Sequence, residues 1–253
     1  MNPTELFRLT GQIAVITGAA RGIGLATAQI MAAAGASVAL LDVDGETAQK
    51  EAGLIGAKAC AWTCDVTSES AVESVFAAIV KRFGRIDVLV NNAGAAVRKP
   101  AVELSMGEWR RIMDLNLGGV FLCSRVAARA MSGQGGGTIV NLASIMGFSG
   151  GIFPNASYQA SKGGVVNLTR ALALEWADKN IRVNAVAPTF VKTDLTVPIF
   201  SNPEVLAKVK EHTPLGVLPE VEDIAAAILY LASPAARCIT GITLPVDSGY
   251  LAR

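Results

Sequence analysis

Histidine is almost missing from this chain: its 253 residues contain one, His212. The four cysteines, Cys60, Cys64, Cys123 and Cys238, are scattered and form no CxxC pair. Cys60 and Cys64 share the stretch KACAWTCD but lie far from His212 and from any second group of ligands, so a metal centre is not expected. The thiols read instead as small buried hydrophobes in a reducing compartment. An excess of one charge is absent too. Lys and Arg total 22 against 21 Asp and Glu, a net of +1, which gives no field to attract nucleic acid or an anionic membrane. Aromatics are few, and Trp62, Trp109 and Trp176 read as packing residues rather than a stacking platform. No uninterrupted apolar run approaches the ~20 residues that span a bilayer. The N-terminal MNPTELFRLTGQ lacks the basic-then-apolar order of a secretory signal. The expectation is a soluble, cytoplasmic protein with small-molecule or protein partners, no nucleic acid and no membrane.

What the chain does have is an alternation of short apolar runs with longer amphipathic segments. Residues 12–17, 37–42, 58–62, 86–91, 137–144, 181–187 and 242–247 read as strands, and the segments between them as helices. The runs are apolar at successive positions instead of alternating, so both strand faces should be buried, as in a parallel sheet covered by helices on each side. A single α/β domain over residues 1–253 is expected, with a doubly wound, seven-stranded parallel sheet. GQGGG at 133–137 marks a loop before the fifth strand. Residues 188–219, with Pro188, Pro198, Pro203, Pro214 and Pro219, read as one long irregular stretch and a candidate lid over a substrate site.

The first strand runs directly into TGAARGIG, residues 17–24, and then into a helix. Gly18, Gly22 and Gly24 let the backbone turn tightly and admit a pyrophosphate to the helix N-terminus, whose free N–H groups and dipole favour an anion. Asp42, at the end of the second strand, stands where a carboxylate bonds the adenosine ribose hydroxyls. Arg21 lies inside the glycine loop and could draw a 2′-phosphate instead. Further on, ASYQASKGG at 156–164 places Tyr158 and Lys162 four apart, on one face of a helix. By itself such a pair is an exposed aromatic beside a solvated charge.

Together these landmarks resemble the short-chain dehydrogenase/reductase family over the whole chain. The resemblance rests on TGAARGIG, CDV at 64–66, NNAG at 91–94, Asn116 in MDLNLGG, Ser144 in NLASIMG, YQASK at 158–162, RVNAVAPT at 182–189 and TGITLPVDSGY at 240–250. It implies an NAD(P)-dependent Rossmann-fold enzyme with Asn116, Ser144, Tyr158 and Lys162 as its catalytic set. It further implies cofactor binding by Gly18, Arg21, Gly22, Ile23, Gly24, Asp42, Asp65, Val66, Asn92, Ala93, Gly94, Tyr158, Lys162, Pro188, Thr189, Val191 and Thr193, and it implies a homotetramer. Asp65 and Val66 would meet the adenine, and Asn116 would hold a water that relays protons from Lys162. Two positions depart from the family pattern: Thr189 and Ser248 stand where glycine is usual.

Hydride removal from a carbinol requires its hydroxyl proton to leave, and a phenol with a pKa of ~10 accepts it poorly at neutral pH. A lysine within roughly 4–5 Å, at an effective dielectric near 20, is worth about 3–4 kcal/mol, enough to lower the phenol pKa by roughly two to three units. Ser144, at the end of the fifth strand, can orient the substrate oxygen. The expected activity interconverts a secondary alcohol (polyol, sugar or sugar acid) and its ketone, with NAD preferred over NADP because of Asp42. The alternative with the same fold and catalytic set is an NADPH-dependent 3-oxoacyl-thioester (acyl carrier protein) reductase.

Overall fold

In the computed structural model, which describes residues 3–252, the seven apolar runs become β1 (Ile13–Thr17), β2 (Ser37–Asp42), β3 (Ala59–Thr63), β4 (Val88–Asn91), β5 (Gly137–Leu142), β6 (Ile181–Pro188) and β7 (Thr243–Val246). They form one sheet in the order β3-β2-β1-β4-β5-β6-β7, with every neighbouring pair parallel. All residues of β1 and β4 are buried, as strands apolar at every position must be. The edge strands β3 and β7 are only half-buried.

The helices are α1 (Gly22–Ala33), α2 (Gly45–Ile55), α3 (Glu69–Phe83), α4 (Met106–Met113), α5 (Gly119–Gly133), α6 (Ala156–Glu175), α7 (Val197–Phe200), α8 (Pro203–Glu211) and α9 (Val221–Ala232). Alternate residues of each strand feed opposite cores. Ala14 and Ile16 of β1 pack with Ala28 and Met31 of α1 and with Ile224 and Ile228 of α9. Ile13 and Val15 pack on the other face with Phe76 of α3, Met131 of α5 and Leu172 of α6. At roughly 1.5–3 kcal/mol per buried large aliphatic or aromatic side chain, these two layers dominate the stability.

A buried polar seam sets the height of α5 and α6 against the sheet. The Asn91 amide donates to Ser124 Oγ at 2.9 Å and to Asn141 Oδ1 at 2.8 Å, and the Asn141 amide donates to Thr169 Oγ1 at 3.0 Å. The helix that carries Tyr158 and Lys162 is thereby tied to β5. Between β1 and β4 the strand order reverses, which opens a crevice at their C-terminal ends.

Residues 188–219 are less irregular than their prolines suggest. Pro198 and Pro203 lie in the first turns of α7 and α8, where the missing N–H is not needed and the fixed φ favours a helix start. A π-helical turn, Asp114–Gly118, joins α4 to α5. Ser248 adopts φ 54°, the left-handed region that explains why glycine is usual there. Among the described residues, no helix is long and apolar enough to cross a membrane.

Candidate active site

The glycine loop closes against the end of β4. Gly18 has φ +63°, and a Cβ there would sit 2.8 Å from Ala93 Cα. A Cβ on Gly24 would overlap the Gly18 carbonyl and lie 2.5 Å from Asn92 Nδ2. Asn92 holds this close approach in place, its amide donating to the Thr17 and Gly18 carbonyls at 3.0 and 2.8 Å. The loop thus borders a cleft of about 1100 Å³, lined by Gly18, Arg21, Gly22 and Ile23 with Asn92, Ala93 and Gly94 opposite. Gly24 packs beneath the loop instead of facing the cleft. A long open cleft that meets the N-terminus of α1 across side-chain-free backbone suits a dinucleotide pyrophosphate.

At its far end the cleft is acidic. Asp42 lines it and accepts the Ala20 and Asp44 N–H groups, each at 3.0 Å. Asp44 caps α2 through Thr47 N, and its carboxyl is held below the usual range by that backbone hydrogen bond first and by Arg21 to a lesser degree. Arg21 pairs with Asp44 and, at 3.4 Å, with Asp194. Asp65 and Val66 line the cleft as well, the Asp65 carboxylate accepting Thr67 N and Oγ1 at 2.9 and 2.7 Å.

Tyr158 sits in the first turn of α6, and Lys162 follows one turn later. Lys162 is 4% exposed, with Nζ 5.7 Å from the phenol ring centroid and donating to the Leu142 carbonyl at the end of β5. Burial pulls its pKa down from 10.5 to about 8, so it remains a cation at neutral pH. The half-buried Tyr158 behaves differently from the sequence expectation. Burial pushes its phenol above the ordinary 10, while a hydrogen bond from Ser144 and the charge of Arg98 pull it back. Loss of water by the phenolate outweighs the nearby charge of Arg98, while the Lys162 ammonium lies against the phenol ring and gives one of its hydrogens to Leu142.

Ser144 is buried at the end of β5, where its hydroxyl also accepts Met146 N at 3.2 Å. Asn116 is fully buried in the π-helical turn. Its Oδ1 accepts Ala95 N and its amide donates to Ala95 O, both at 2.9 Å, and to Ser161 Oγ at 3.1 Å. Its side chain therefore braces the loop after β4 against α6 and does not line the cleft.

Tyr158 lines a second, largely apolar pocket together with Ser144, Met146, Phe153 and Phe190. Pro188, Thr189 and Val191 belong to this pocket, and Thr193 borders both it and the cleft. Sequence reasoning missed Arg98, Asn155 and Asp44. Asp44 carried a legible signal as an N-cap two residues past a strand, whereas Arg98 and Asn155 lie in loops whose direction no periodicity reveals.

The family model described as enoyl-(acyl carrier protein) reductase matches residues 18–251. A galactitol 2-dehydrogenase (L-tagatose-forming) of Cereibacter sphaeroides is 42% identical over 99% of this chain and 99% of its own. The chain belongs to the short-chain dehydrogenase/reductase family. Another relative, an NAD-dependent glycerol dehydrogenase of Listeria innocua, is 38% identical over 96% of this chain and 95% of its own. Among solved structures, a gluconate 5-dehydrogenase of Burkholderia cenocepacia in complex with NADP and tartrate matches with a TM-score of 0.95 at 34% identity, covering 99% of each chain. As a short-chain dehydrogenase/reductase, the protein is an oxidoreductase that acts on CH–OH groups with NAD(P).

Proposed function

We propose that the protein oxidises a secondary carbinol of a polyol, sugar or sugar acid to the ketone with NAD, and that Tyr158 is its general acid/base. The observation that carries this reading is the position of Tyr158 in the wall common to the dinucleotide cleft and the second pocket, which Ser144 also lines, one turn from a buried lysine. When bound, the nicotinamide accepts the hydride and brings positive charge to the phenol. With that charge in place Tyr158 acts as the phenolate, its Oη takes the carbinol proton, and Ser144 turns its one hydrogen to the carbinol oxygen and fixes its orientation. Lys162 keeps a cation beside that transfer and is the residue that would hold the nicotinamide ribose. Asn116 supports both by holding Ala95 and Ser161, the latter bonded to the Tyr158 carbonyl at 2.7 Å.

On this reading Gly18, Gly22 and Ile23 hold the pyrophosphate, Asp42 the adenosine ribose, Asp65 and Val66 the adenine, and residues 188–193 the nicotinamide side. The segment 188–219 serves as a lid, a role supported by its two ties across the site: Arg21 to Asp194, and Arg98 Nη1 to the Leu195 carbonyl at 2.9 Å. The same reading makes the enzyme a cytoplasmic homotetramer, supported by the exposed Met106, Phe121 and Leu174 on α4, α5 and α6. Sedimentation velocity should give four times the 26.2 kDa chain mass, and a monomer would remove the tetramer from the proposal.

Tyr158→Phe tests the central assignment. Turnover should fall at least the ~100-fold typical of losing a general base, with cofactor affinity little changed. A variant that keeps more than about a tenth of wild-type turnover would overturn it.

A further inference from the structure

The pocket beside Tyr158 contains polar atoms that proton transfer by Tyr158 and Ser144 leaves unused. Arg98 is the one charged side chain among its described lining residues. One of its nitrogens donates to the Leu195 carbonyl, and among the described residues it forms no ion pair with a carboxylate. Arg98 is exposed on one side, and the pocket wall screens the other from water, which holds its pKa below that of an ordinary arginine, with the attraction to Tyr158 working the other way. A guanidinium fork with free donors at an apolar wall is matched by a carboxylate, which it can grip with two parallel hydrogen bonds. A phosphate dianion would call for a second cation, and the described lining holds none.

Asn155 supplies an independent observation. It occupies the N-cap of α6, where an asparagine side chain ordinarily accepts an N–H of the first turn, yet here it makes no such bond. The residue is 9% exposed, it lines the pocket, and its Oδ1 is buried without a hydrogen-bond partner among the described residues. Thr189 Oγ1, in the same wall, is also buried and unpartnered. Buried oxygens are rarely left orphaned, and Oδ1 can only accept, so its partner must bring an O–H or N–H.

We propose that Arg98, Asn155 and Thr189 form a specificity subsite for a polyhydroxy acid, with the carboxylate on Arg98 and a hydroxyl beside the reacting carbinol donating to Asn155 Oδ1 and Thr189 Oγ1. This rests on the carbinol oxidation described above and narrows its substrates to the anionic members. An uncharged polyol would leave the guanidinium unpaired.

The test compares kcat/KM for D-gluconate, D-galactonate and L-threonate with that for D-glucitol, galactitol and L-threitol, in the wild type, Arg98→Met and Asn155→Ala. The wild type should favour the acid in at least one matched pair by about tenfold or more. Arg98→Met should cost both substrates whatever the lid tie to Leu195 and the charge near Tyr158 supply, but the acid roughly 10- to 100-fold more than its alditol, the range for a hydrogen-bonded charged group. Asn155→Ala should lower both members of the pair. As a readout independent of turnover, the acid should raise the Tm of the wild type and not that of Arg98→Met. A preference for the alditol in every pair, or an equal loss on acid and alditol in Arg98→Met, would overturn the subsite and leave the alcohol oxidation standing. No turnover of either class by the wild type would overturn both.

Discussion

On the proposed reading, a 2′-phosphate at the adenosine end of the cleft would face the carboxylates of Asp42 and Asp44. From sequence, Arg21 and Asp42 pulled in opposite directions, and the structure changes the terms of that contest. Arg21 is engaged by Asp44 and Asp194, while Asp42 is fixed by two backbone N–H groups and lines the cleft. A carboxylate about 4 Å from a phosphate costs roughly 4 kcal/mol per unit charge at an effective dielectric of 20, and each ~1.4 kcal/mol is tenfold. Even after heavy screening, NAD should be preferred over NADP by about ten- to a hundredfold in kcat/KM, and Asp42→Ala should narrow or abolish the preference. Measuring both cofactors side by side decides it. Equal or better use of NADP by the unmodified enzyme would mean that Asp42 does not face the ribose, and it would favour the oxoacyl-thioester reductase.

At the scale of elements, what the sequence revealed follows from which forces are local. Strand positions were legible because a run such as IAVIT has no polar face to expose, and burial on both sides leaves few arrangements beyond a covered parallel sheet. The glycine loop was legible because Gly18 and Gly24 sit where any Cβ would strike backbone. The prolines of 188–219 misled because one residue type either breaks a helix or begins one, and the outcome depends on its position in the turn. The Tyr158–Lys162 pairing was predicted correctly in space and wrongly in effect. Helical spacing fixes proximity, but the balance between charge and desolvation depends on what the rest of the fold wraps around the pair. Arg98 and Asn155 were illegible for a related reason. The first reaches its pocket from the loop after β4 and the second from the turn before α6, and only the closed tertiary structure brings them together.

For the whole molecule, the buried Lys162 is a standing cost to folding that the site retains for its charge. Its pKa is lowered by burial from 10.5 to about 8, which corresponds to destabilisation on the order of 3 kcal/mol at neutral pH. Below pH 8 the lysine is protonated in both states, and the penalty is constant. Between about pH 8 and 10.5 the unfolded chain binds a proton that the folded chain has released, so this group makes unfolding harder as pH rises. Tyr158, raised above 10, acts in the opposite sense only beyond that pH, where the unfolded phenol ionises first. Lys162→Met should therefore be more stable than the wild type at pH 7, unlike most substitutions of buried residues. Losing the donor to the Leu142 carbonyl costs about 1 kcal/mol, which leaves a net gain of about 1–2 kcal/mol. The gain should shrink above pH 8 and vanish or reverse by pH 10.5. Urea denaturation of both proteins at pH 7, 9 and 10.5, at matched protein concentration, measures it. A Lys162→Met protein less stable than the wild type at pH 7 would show that the ammonium is held by interactions strong enough to offset its burial.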